Sequence, residues 1–136
     1  MPTSATNTYD PAASRVEPFY KEPEAPQQHV KLANGTYAAG TVLGPVTATP
    51  GQFKAYATGN SDGSEAATCI LRDDVVVASG VHTIGSEQGG GVVESVPAYY
   101  GGVFKTAELT GLDAAGVADL NGLIISGTVA DGLLKF

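Results

Sequence analysis

The stretch Ala66-Ala67-Thr68-Cys69-Ile70-Leu71-Arg72-Asp73-Asp74-Val75-Val76-Val77-Ala78-Ser79 decides the fold class. Two short apolar runs, rich in β-branched residues, are separated by a pair of aspartates. That is the vocabulary of two strands and a turn, and neither run is long enough for a helix. The same grammar continues in both directions from Gly35 onward. It predicts strands over 41–47, 52–58, 66–71, 75–79, 98–109, 123–129 and 133–136. Turns are expected at Pro50-Gly51, at Gly59 through Gly63, at Asp73-Asp74 and between Gly85 and Gly91. One helix is expected: Asp113 caps 114–121 and Gly122 supplies the left-handed residue that ends it, although Gly116 inside weakens it by about 1 kcal/mol relative to Ala.

Upstream the chain changes character. None of the 18 glycines lies in residues 1–34, whereas Pro2, Pro11, Pro18, Pro23 and Pro26 all fall there, out of 8 prolines in the chain. Proline removes backbone donors and biases its neighbours toward extended geometry, so this segment reads as an arm preset for strand-like docking. Its large apolar residues are few: Tyr9, Val16, Phe19, Tyr20, Val30 and Leu32. The pair Phe19-Tyr20 is costly to leave in water, since each ring buries on the order of 150–250 Å² when it finds a partner. The expectation is a mainly β protein: a small β-barrel or sandwich-like domain with one short helix over 35–136, preceded by an extended, flexible arm over 1–34. No fixed-period repeat is visible, which argues against solenoids and propellers.

Charge narrows the function. The 136 residues carry 7 Lys+Arg against 14 Asp+Glu, a formal charge of −7. Scattered cations on an acidic chain give no footprint for phosphate, so neither nucleic acid nor an anionic membrane surface is an expected partner. No apolar run approaches the roughly 20 residues that span a bilayer. The start, MPTSATNTYDPAAS, has no Lys or Arg and no apolar stretch of signal-peptide type, so a soluble protein made in the cytoplasm is expected. The single cysteine, Cys69, allows no intrachain disulfide and reads as an inert core thiol.

Catalytic chemistry finds little to build on. His29 lies in the arm, and His82 alternates with Val81 as on a strand edge with its polar face outward. Ser79, His82 and Asp73 or Asp74 form a conceivable triad without a positioning motif. Asp73-Asp74 and the Asp62/Glu65 pair read as solvated turns rather than calcium loops, and one Cys with two distant His is too few for zinc. Gly89-Gly90-Gly91 lacks the Lys-Ser/Thr of a phosphate loop and reads as a mobile loop. No enzyme activity, cofactor or metal is expected.

The block Phe53-Lys54-Ala55-Tyr56, followed by Ser61-Asp62-Gly63-Ser64-Glu65-Ala66-Ala67-Thr68-Cys69-Ile70-Leu71, resembles the head decoration proteins of tailed bacteriophages, the lambda D-like family. Gly40-Thr41-Val42-Leu43-Gly44 is similar to that family's "G.VLG" strand. Tyr99-Tyr100-Gly101-Gly102-Val103-Phe104 is similar to its "G.F" strand, and the apolar run from Gly127 to Phe136 also fits. Cys69 stands where the family commonly has glycine, and 79–96 looks like an insertion with no assigned role. The resemblance covers 35–136. It implies a homotrimer on the outer surface of the virion, at three-fold and quasi-three-fold points of the expanded head, which it stabilises against DNA pressure. The implied partner is the major capsid protein, to one of whose sheets the arm adds a strand. The expected capsid-binding residues are Tyr9, Val16, Pro18, Phe19, Tyr20 and Val30. The alternative from another class is a trimeric adhesion or fibre module that stacks glycans on Tyr99-Tyr100.

Overall fold

The structure, a computed structural model, describes residues 26–85 and 91–136. It is mainly β, with several sheets and one short helix. Strands β1 (Gln27–Leu32), β4 (Gln52–Ala55), β3 (Val42–Pro45), β5 (Cys69–Leu71) and β9 (Val96–Tyr99) close into a five-stranded barrel in the order β9-β1-β4-β3-β5. All its pairings are antiparallel except β1 with β4, where Lys31 meets Gln52 and Leu32 meets Phe53 in parallel. A four-stranded sheet, β2-β6-β7-β8, joins Gly35–Tyr37, Val75–Ala78, Val81–Ile84 and Gly91–Val93. A three-stranded sheet, β10-β12-β11, joins Val103–Lys105, Gly132–Lys135 and Leu123–Gly127.

The near-continuous apolar runs at β3 and β5 follow from burial on both faces. In β5, Cys69 and Leu71 point into one core with Leu43, Val30, Leu32, Val96 and Ala98. Ile70 points the other way, joining Val42, Tyr99, Phe104 and Leu134 under the three-stranded sheet and helix. The four-stranded sheet closes the first core with Tyr37, Val75 and Val77. Two apolar layers therefore share the barrel wall between them. Cys69 is fully buried, and burial pushes its thiol above the usual range.

Several expectations are corrected. Residues 27–34 do not belong to an arm: β1 is a barrel strand whose Val30 and Leu32 point inward while His29 and Lys31 face out. Two inward residues among polar neighbours make a faint period-two signal, and the missing glycines masked it. The expected single strand over 98–109 is three pieces, β9, β10 and a 3₁₀ turn at Thr106–Glu108. Gly101-Gly102 divides them, with Gly102 at φ 129°. The region 79–96 contributes β7 and β8. His82 is inward-facing and buried on a central strand, not outward on an edge, and its Nε2 accepts the Leu32 backbone N–H at 2.8 Å. Asp73 is no solvated turn residue either: it is buried, with Oδ2 3.2 Å from Arg72 Nε.

The helix α1 spans Ala114–Asp119 behind its cap, Asp113, whose Oδ1 accepts the Gly116 N–H at 2.7 Å. It ends in a Schellman arrangement, with Gly122 N–H to Val117 O and Asn121 N–H to Ala118 O. The left-handed residue is Asn121, at φ 55°, rather than Gly122. A Cβ at Gly122 would stand 2.7 Å from Leu134 Cδ1, so a larger residue there must displace that buried side chain. Gly116 likewise lets the helix approach the Tyr56 ring, which a Cβ would meet at 3.1 Å.

Asp113 Oδ1 also accepts the Tyr56 hydroxyl at 2.6 Å, so one carboxylate ties the helix to the chain that follows β4. Burial, then Asp113, pushes Tyr56 above the usual tyrosine range. Because the unfolded phenol ionises near 10, the stability from keeping it neutral is present below that pH and declines above it. Asp113→Ala is expected to cost about 2–3 kcal/mol, the lost cap plus an orphaned hydroxyl. Asp113→Asn should retain most of it, and urea unfolding of the two variants checks this.

Candidate docking surfaces

Of the six residues expected to bind the capsid, Tyr9, Val16, Pro18, Phe19 and Tyr20 lie outside the described residues. Val30 is inside the barrel, 4 % exposed and paired with Val96, so it serves the core and contacts no partner there. The described chain begins at Pro26, whose carbonyl accepts the Tyr100 N–H at 2.9 Å.

The structure does not assemble the conceivable triad. Ser79 is exposed in the turn between β6 and β7, where Ser79 and Gly80 both have positive φ as a tight two-residue hairpin requires. His82 is engaged by Leu32, and Asp73 lies beyond the opposite end of β6. The acidic pair at Asp62 and Glu65 is consumed locally. Asp62 accepts from Ser64 Oγ at 2.5 Å and from Lys54 Nζ at 2.9 Å, which hold its carboxyl well below the usual range, and Glu65 accepts the Gly63 N–H. No group of three His, Cys, Asp or Glu able to hold a metal occurs among the described residues. Nor do Tyr99 and Tyr100 form a sugar platform. Tyr99 is buried, edge-on to Phe104 with centroids 5.5 Å apart, whereas half-buried Tyr100 packs on the other core.

The surface that stands out is the outer face of the four-stranded sheet. Register places Thr36, Val76, Thr83 and Val92 in one row across all four strands, with Ala78 and Val81 paired beside it. Their inward neighbours Val75, Val77 and His82 are buried, and the alternation leaves the row in solvent. Val76 and Val81 are each 48 % exposed and Val92 is 71 % exposed. None of these six residues carries a charge, on a chain of net charge −7. A cavity of about 670 Å³ opens at the end of the same sheet, between Tyr37, Val75, Ile84 and Gly91. The one charged residue among its described lining, Asp74, already accepts the Ala39 N–H at 2.7 Å through Oδ1. The described lining is mainly apolar.

Sequence reasoning missed this face, although the alternation Val81-His82-Thr83-Ile84 opposite Val75-Val76-Val77-Ala78 across Ser79-Gly80 carried the signal. Comparisons with protein-family models, curated proteins and solved structures give no match to this chain.

Proposed function

We propose that this chain is a capsid decoration, or cementing, protein of a tailed-phage head. In this reading it sits as a homotrimer at three-fold and quasi-three-fold points of the expanded shell, on the outside of the virion. The arm ahead of Pro26 adds a strand to the major capsid protein, with Val16, Phe19 and Tyr20 as anchors and backbone hydrogen bonds supplying affinity. Three arms act together, so a weak single contact gains about 10²–10⁴-fold through effective concentration. The observation that carries the reading is the uncharged, β-branched face of Thr36, Val76, Thr83 and Val92, which suits protein–protein contact on a domain whose charge disfavours nucleic acid. We assign that face to the contact between copies.

The test is the full chain carrying Val76→Lys and Val92→Lys. Both side chains point to solvent, so the variant should fold. It should sediment as a monomer where the parent is a trimer, and its affinity for heads should fall at least 100-fold with the loss of avidity. A variant that assembles and binds like the parent contradicts this assignment.

A further inference from the structure

We propose that the outer face of the four-stranded sheet of one copy receives the outer face of the three-stranded sheet of the next, with Lys105 and Lys135 set against Asp74 and Glu94.

This contact rests on the trimer reading above and names what the β-branched face meets. A closed ring of three is built from heterologous contacts, in which one patch of each copy meets a different patch of its neighbour. The row Thr36, Val76, Thr83 and Val92 is therefore not its own partner around a three-fold axis. Among the described residues, the large hydrophobic side chains left exposed fall in two groups: Val76, Val81 and Val92 on the four-stranded sheet, and Leu123 and Ile125 on the three-stranded sheet. The second group marks the complementary patch.

The two sheets also look in different directions, as ring closure needs. Val30, Leu32, Leu43, Cys69, Leu71, Val96 and Ala98 fill the barrel interior, and His82 of the four-stranded sheet takes the N–H of Leu32, the last residue of β1. That sheet therefore closes an end of the barrel. The three-stranded sheet instead packs Phe104 and Leu134 on Val42 and Ile70, whose side chains leave the barrel wall on its outer side. It lies along the wall.

Register defines the entering face. Phe104 and Leu134 are opposite one another and fully buried, so their neighbours along each strand point outward. Val103, Lys135 and Leu123 make one outer row, with Lys135 on the central strand, and Lys105, Leu133 and Ser126 make the next. Lysines and apolar residues alternate across these rows, and neither row holds a carboxylate. Lys54 and Arg72 are tied to Asp62 and Asp73, whereas Lys105 and Lys135 are exposed and have no ion pair among the described residues.

The receiving face carries the opposite sign at its ends. Asp74 is exposed beside Val76 and Thr83 at one end. Glu94 is exposed at the other, one residue past Val93, which pairs with His82. Between them runs the uncharged β-branched row. Copies that each carry −7 thus approach through two faces of opposite charge, which fixes orientation as well as attraction.

The test is carbodiimide cross-linking of the full chain without heads, in a mixture of isotope-labelled and unlabelled copies read by mass spectrometry. Lys105 or Lys135 should be joined to Asp74 or Glu94, and mixed-isotope products should show that the two ends belong to different copies. In sedimentation, Lys105→Glu/Lys135→Glu should keep the parent's urea midpoint and dissociate at least about tenfold more readily. Adding Asp74→Lys and Glu94→Lys to that variant should restore the trimer. A trimeric parent that gives no such cross-links overturns the proposal, as does a charge-reversed variant that assembles as tightly as the parent. So does a fourfold variant that folds like the parent but stays dissociated. A parent that is monomeric overturns the trimer reading and this contact together, whereas the other failures overturn the contact alone.

Discussion

A chain that begins at Gly35 will not fold, whereas one that begins at Pro26 will. The difference is β1. It pairs with β9 on one side and β4 on the other, so deleting it opens the five-stranded barrel and leaves two unpaired edges. It also removes Val30 and Leu32 from the core, each worth about 1.5–3 kcal/mol in burial before any cavity term. His82 Nε2 loses the Leu32 N–H and becomes a buried acceptor without a donor. Together these losses match the roughly 5–15 kcal/mol that holds an ordinary domain. Far-UV circular dichroism and urea unfolding check it. The Pro26 chain should show a cooperative transition near that of the full protein, and the Gly35 chain none. A cooperative Gly35 chain would mean that β1 is an accessory strand.

Phe104→Ala should cost about 3–5 kcal/mol. Its ring is fully buried, edge-on to Tyr99 at 5.5 Å and stacked with Phe136 at 5.3 Å. Through those contacts it joins the barrel wall to the three-stranded sheet, so truncation leaves a cavity where two layers meet. Phe136 is only half-buried, and Phe136→Ala should cost distinctly less. The pair of urea midpoints, with unchanged slopes, tests the two-layer account against one in which the C-terminal sheet merely rests on the barrel. Equal costs would favour the latter.

Most of the β content was legible because short β-branched runs between turn residues have few other readings. Val42-Leu43, Cys69-Ile70-Leu71 and Val75-Val76-Val77 all became strands where expected. What escaped the sequence was which strands are covered on both faces and which join each other. Val30 and Leu32 gave two inward positions, too few to outweigh the prolines before them, and the parallel neighbour Gln52–Ala55 is far along the chain. His82 was misplaced for a related reason. Alternation alone does not say which face of a strand meets the core, and register puts His82 on the inward face with Val77 while Val81 and Thr83 face solvent. Asp113 was read correctly as a cap, because capping is local. The second bond from Tyr56, 57 positions earlier, was not readable, because only the fold brings the two together. The docking face was hidden in the same way: Thr36, Val76, Thr83 and Val92 are scattered in the sequence and aligned only by register.

The correction at β1 changes how the arm must be tested, since removal up to residue 34 would confound arm loss with unfolding. The most direct measurement is co-sedimentation of the full chain, and of the chain beginning at Pro26, with expanded and unexpanded heads of the cognate phage. The account predicts that only the full chain pellets, and only with expanded heads. If neither chain pellets, or the full chain pellets equally with both kinds of head, the decoration reading is contradicted.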